Sequence, residues 1–100
     1  TLGAEFQSGD CHAGRYEASI VLASDPAAVR RDELERLPEL RVDLVAKMKA
    51  GARSFLQVGA DLGYCGDPAR ASAQEGHVLV ERLADMVLTS IQESWPELFA

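Results

Sequence analysis

One hundred residues fit a single small domain or a part of a larger one. An apolar content of 47% argues against disorder, and with only 6% aromatic residues the core must be aliphatic. A formal charge of -6, from 16 acids against 10 bases, disfavours nucleic acid, and no apolar run approaches the roughly 20 residues that span a bilayer.

Residues 1–16 are rich in Gly, Ser and Asp and read as loop or extended chain. Residues 17–24 form a short apolar segment. Ile20 and Val21 allow a strand there, whereas Ala18, Leu22 and Ala23 suit a helix. Asp25-Pro26 is a cap followed by a residue suited to a first helical position, and predicts a helix through 27–37 with Arg30, Arg31, Asp32, Glu33, Glu35 and Arg36 on its wet face. Pro38 restarts the chain. Leu40, Leu44 and Met48 recur at helical spacing up to a stop at Gly51. The alternation in Arg53-Ser54-Phe55-Leu56-Gln57-Val58 predicts a strand. Asp67-Pro68 repeats the cap-plus-proline device, and Ser72-Ala73-Gln74-Glu75 reads as a capping box. Val80, Leu83, Ala84, Val87, Leu88, Ile91 and Trp95 then mark one stripe of a long amphipathic helix ending near Pro96. That stripe needs a partner surface, which one short strand cannot supply. A sheet formed by other parts of the protein, or by another chain, is expected beneath it.

The chemistry-bearing stretch is Gly9-Asp10-Cys11-His12-Ala13-Gly14-Arg15-Tyr16-Glu17-Ala18-Ser19. It sets an imidazole and a carboxylate five residues apart across a glycine, in a turn of small residues where both can aim at one point. His12 and Glu17 are therefore the candidate acid–base pair. Glu17 also suits the start of a helix, where acids are favoured. Asp10 and Arg15 are candidate substrate contacts. Asp10 can equally close the loop onto backbone N–H groups, and Arg15 can equally point to water. Asp67 reads as a cap and His77 as structural or solvated. Cys11 beside His12 admits a thiolate nucleophile, although only Arg15 supplies positive charge nearby. Cys11 and Cys65 lack CxxC spacing, no secretory signal opens the chain, and a reduced pair in the cytoplasm is expected. Thr1 stands where an initiator Met would, so the chain is expected to be a processed product or one piece of a longer one. An N-terminal Thr nucleophile is a third, weaker route to hydrolysis. No HxxxH, HExxH or clustered Cys/His pattern occurs, so no residue here is assigned as a metal ligand.

The run His12-Ala13-Gly14, Glu17 and Ser19, followed by Ile20–Ala23 and Pro26, resembles the C-terminal half of the creatininase family of metal amidohydrolases. A second landmark agrees in order: Lys47-Met48-Lys49-Ala50-Gly51-Ala52, then Tyr64-Cys65-Gly66-Asp67-Pro68, Ala71-Ser72-Ala73 and Glu75-Gly76. The first landmark is fairly specific and the second supportive; together they cover nearly the whole chain.

The resemblance implies an α/β architecture. Residues 1–100 would be the C-terminal portion of one three-layer α/β/α domain with a mainly parallel sheet, completed by a missing N-terminal half or another chain. It also implies hydrolysis of a cyclic or linear amide C–N bond in a small molecule, with a divalent metal pair, zinc or manganese, activating water. His12 would carry a proton to the leaving nitrogen, and Glu17 would orient water or substrate. The metal ligands would come mostly from the N-terminal half or a second subunit, in an oligomeric assembly. Ala18 stands where the family usually has Thr, a lost hydroxyl that leaves the acid–base pair intact. The alternative is a non-catalytic interaction subunit that keeps the family fold.

Overall fold

The longest element is a helix of 22 residues, Ala73–Ser94, whose first half packs against the helix formed by residues 15–24. The structure, a computed structural model, describes residues 2–9 and 12–100. In chain order the helices are α1 (Ala4–Ser8), α2 (Arg15–Ser24), α3 (Arg31–Leu34), α4 (Leu44–Lys49) and α5 (Ala73–Ser94). Tight single turns begin at Pro26, Pro68 and Pro96, where the fixed φ of proline starts a turn that the following residues do not extend.

The architecture corrects the expected α/β fold. The described residues are 59% helical and contain no strand or sheet. Among the described residues, extended backbone meets only at two isolated antiparallel bridges, His12 with Cys65 and Leu40 with Gly66. The Cys65 N–H donates to the His12 carbonyl at 2.7 Å, while Gly66 and Leu40 exchange bonds of 2.7 and 2.8 Å. Neither bridge extends into a ladder. Ala13 and α2 turn the chain away after His12, and the Pro68 turn follows Gly66.

Residues 53–58 coil into successive turns rather than the expected strand. The Arg53 N–H donates to Gln57 Oε1 at 2.6 Å and the Gln57 N–H to Ser54 Oγ at 3.2 Å. Polar side chains thus offer the backbone a local partner that outcompetes a ladder. The helix expected over 27–37 is broken, because Val29 is extended and only Arg31–Leu34 is helical. This stretch buries no residue, so no packing sustains a longer helix. The next helix begins at Leu44, where Asp43 Oδ1 accepts the Ala46 N–H, leaving Leu40 to pair with Gly66. Residues 4–8, read as loop, form the single helical turn α1.

Two small cores hold the chain together. Val42, Val58, Ala60 and Cys65 are buried beneath Leu40, Leu44 and Ala52. Separately, α2 crosses the start of α5, where Ser19, Leu22, Gly76 and Leu79 are buried. The ambiguous segment 17–24 is helical because this crossing rewards a helix, overriding the β-branched Ile20 and Val21. Gly76 makes the crossing possible: a Cβ there would lie 1.9 Å from the Ser19 carbonyl oxygen.

Beyond the crossing α5 projects with its apolar stripe uncovered. Val87 is 61% exposed and Trp95 55%, and Leu83, Met86 and Ile91 line a shallow groove beside them. The radius of gyration is 16.0 Å, against about 13 Å for a compact chain of this length. Among the described residues no helix is long and apolar enough to cross a membrane.

Candidate functional site

The N-terminus of α2 brings His12 and Glu17 together. Ala13 has φ 51°, in the left-handed region that residues with a Cβ seldom occupy. This turn swings the chain from the His12 bridge into α2, so that Glu17, in the first helical turn, points back toward His12. The Glu17 carboxylate accepts the Ala13 N–H through Oε1 at 2.7 Å. The same Oε1 lies 4.0 Å from His12 Nδ1. That distance is too long for a hydrogen bond and short enough for attraction once the ring is protonated. Glu17 thus does two things: it satisfies a backbone donor before the helix, and it keeps negative charge beside the imidazole.

Gly14, between the two, is required by close approach. A Cβ there would meet the Cys65 carbonyl at 2.3 Å and Glu5 Oε1 at 2.5 Å. His12 and Glu17 open onto a cleft of about 460 Å³ between α2 and the 28–37 segment, walled by Val21, Val29, Leu34 and Leu37. Both side chains remain nearly half exposed, at 42% and 49%. Phe55 stacks against the His12 ring, with centroids 4.6 Å apart and planes at 23°.

Arg15 faces a different cleft, of about 340 Å³, with Glu5, Asp67, Arg70 and Glu75. Its Nε donates to Glu75 Oε2 at 2.8 Å, and this bond chiefly holds the guanidinium above its usual pKa. The same Glu75 oxygen accepts from Ser19 Oγ at 3.3 Å, and Ser19 Oγ accepts the Ser72 N–H at 3.1 Å. The capping box is therefore half formed. Ser72 Oγ accepts the Glu75 N–H at 3.1 Å, but the Glu75 side chain turns to α2 instead of back to Ser72. Asp67 opens the Pro68 turn without a side-chain capping bond and pairs with Arg70 at 3.2 Å. His77 is exposed on α5. Asp10, Cys11 and Thr1 lie outside the described residues.

Three contributors carried no functional signal in the sequence. Glu5, from a segment read as loop, accepts the Tyr16 N–H at 3.0 Å and the Asp67 N–H at 2.7 Å, tying α1 to the start of α2 and to the 65–67 segment. Glu75 joins α5 to α2 where only a cap was expected. Phe55 reaches His12 across 43 residues of chain, a distance that no local pattern records.

The described residues do not by themselves fit a metal ion. No group of three or more His, Cys, Asp or Glu converges among them. The His12–Glu17 pair offers two donors, one of which already holds a backbone N–H.

The sequence profile of the creatininase family, described as creatinine amidohydrolase, matches residues 1–91. The chain belongs to the creatininase family. The match spans both landmarks, the His12–Ser19 run and the segment from Lys47 to Gly76. No curated protein and no solved structure matches the chain. Creatininase membership places the chain at the level of metal-dependent amidohydrolases, whose members typically bind a divalent metal.

Proposed function

We propose that this creatininase-family chain supplies the proton-transfer part of an amidohydrolase site acting on a small cyclic or linear amide. The observation that carries the reading is the convergence of His12 and Glu17, 4.0 Å apart, at the mouth of one cleft. An accessible imidazole exchanges protons near neutral pH and can protonate the departing nitrogen as the C–N bond breaks. Glu17 keeps Oε1 on the Ala13 N–H, while Oε2 has no partner among the described residues and can orient water or substrate. Arg15, clamped to Glu75, fixes α2 against α5 and so holds Glu17 in place.

The ligands for zinc or manganese come, in this reading, from an N-terminal half or a second subunit. The uncovered stripe of α5 supports such a partner, because apolar surface of this extent is ordinarily covered. The test is metal analysis of the protein purified from its own cells, paired with an assay of amide hydrolysis using creatinine as the first probe. Stoichiometric zinc or manganese together with amide turnover supports the reading. Neither metal nor turnover would favour the second reading, a non-catalytic interaction subunit. Ala18, in place of the family's usual Thr, motivates that second reading.

A further inference from the structure

We propose that Phe55 is a positioning residue for His12, a role resting on the reading of His12 as proton carrier. Two aromatic rings 4.6 Å apart with planes at 23° form an offset stack, within the favourable range for such pairs. Burial alone does not explain the contact, because Phe55 stays 37% exposed while touching the imidazole. The contact is built from both sides. Phe55 is set by the turns of residues 53–60, where the Ala60 N–H donates to the Phe55 carbonyl at 2.8 Å. Phe55 also walls a small apolar cavity of about 230 Å³ together with Leu44, Met48 and Val58. His12 is set by its carbonyl bond from the Cys65 N–H.

Stacking constrains an imidazole in a useful way. It occupies a face of the ring, whereas both nitrogens work in the ring plane, along its edge. The ring is thereby held from swinging, with Nδ1 on the Glu17 side at 4.0 Å from Oε1. A group pinned in this way spends more of its time in the productive geometry.

The test uses F55L, which keeps apolar bulk and removes the aromatic face, and F55Y, which keeps the face. In NMR spectra of the whole protein, the ring-proton signals of His12 should lie upfield of those of the exposed His77. F55L should abolish the displacement and F55Y should preserve it. Amide turnover by the native assembly should lose kcat with KM unchanged in F55L, and recover in F55Y. Unchanged His12 signals in F55L would overturn the proposal, as would a lost stack with unchanged kcat. Failure of the underlying reading looks different: His12→Ala would keep full turnover while the Phe55-dependent signals persist in the parent protein.

Discussion

Replacing Gly76 with Ala should separate the two helices that frame the site. The new Cβ would sit 1.9 Å from the Ser19 carbonyl oxygen, 2.5 Å from its carbon and 2.8 Å from Ala23 Cβ. Two of these atoms are backbone, so no rotamer change relieves the overlap, and restoring contacts of about 3.5 Å moves the helices apart by roughly 1.5 Å. Leu22 and Leu79, at 2% and 4% exposure, are buried at this crossing. Each contributes about 1.5–3 kcal/mol when buried, and losing about half of both costs roughly 2 kcal/mol. Loosening the Ser19–Ser72 and Arg15–Glu75 bonds adds about 1 kcal/mol. The better helix propensity of Ala offsets about 1 kcal/mol, leaving a net loss of about 2 kcal/mol. Urea unfolding followed by circular dichroism should show a midpoint lower by about 1 M with the slope unchanged. A midpoint equal to or above that of the parent would refute the close crossing of α2 and α5.

Other consequences follow from the same contacts. Ser72→Ala removes the side-chain acceptor for the Glu75 N–H and should cost about 1 kcal/mol, read as lower stability in urea. Glu75→Gln should cost only about 0.5 kcal/mol, because both members of the Arg15 pair are partly exposed and their charges screened; a loss several times larger would show a more buried pair. Burial, and then the charge of Asp67, pushes the Tyr64 hydroxyl above its ordinary pKa of 10.0. The folded protein therefore holds that proton more tightly than the unfolded chain. The contribution is complete below about pH 10 and is lost as pH rises through the folded value. Tyr64→Phe should flatten the fall of stability above pH 10, and at neutral pH should cost about 1 kcal/mol through the lost bond to the Pro38 carbonyl. Identical alkaline profiles for the two proteins would contradict this.

The proximity of His12 and Glu17 was easier to read from the sequence than the fold around them. His12 and Glu17 are close in the chain, and the turn that joins them carries its own signals in Gly14 and in acids at a helix start. The α5 helix was equally plain, because its stripe repeats over four turns and Ser72 caps it. The 53–58 segment misled because alternation over six residues cannot register that Gln57 and Ser54 will capture nearby N–H groups. The helix expected over 27–37 failed for lack of a surface to bury, which its own residues do not reveal. Glu5 and Phe55 were invisible because each acts on residues far away in sequence. The sheet expected beneath the α5 stripe is not present among the described residues, where the stripe is exposed.

The sharpest check replaces one side chain. His12→Ala in the protein purified with its natural partners should reduce amide turnover by about 10²- to 10⁴-fold, the range for losing a positioned proton donor. Metal content and unfolding midpoint should stay at parental values. Turnover within a few-fold of the parent, on the same amide and at the same metal loading, would show that the imidazole at the start of α2 takes no part in the chemistry.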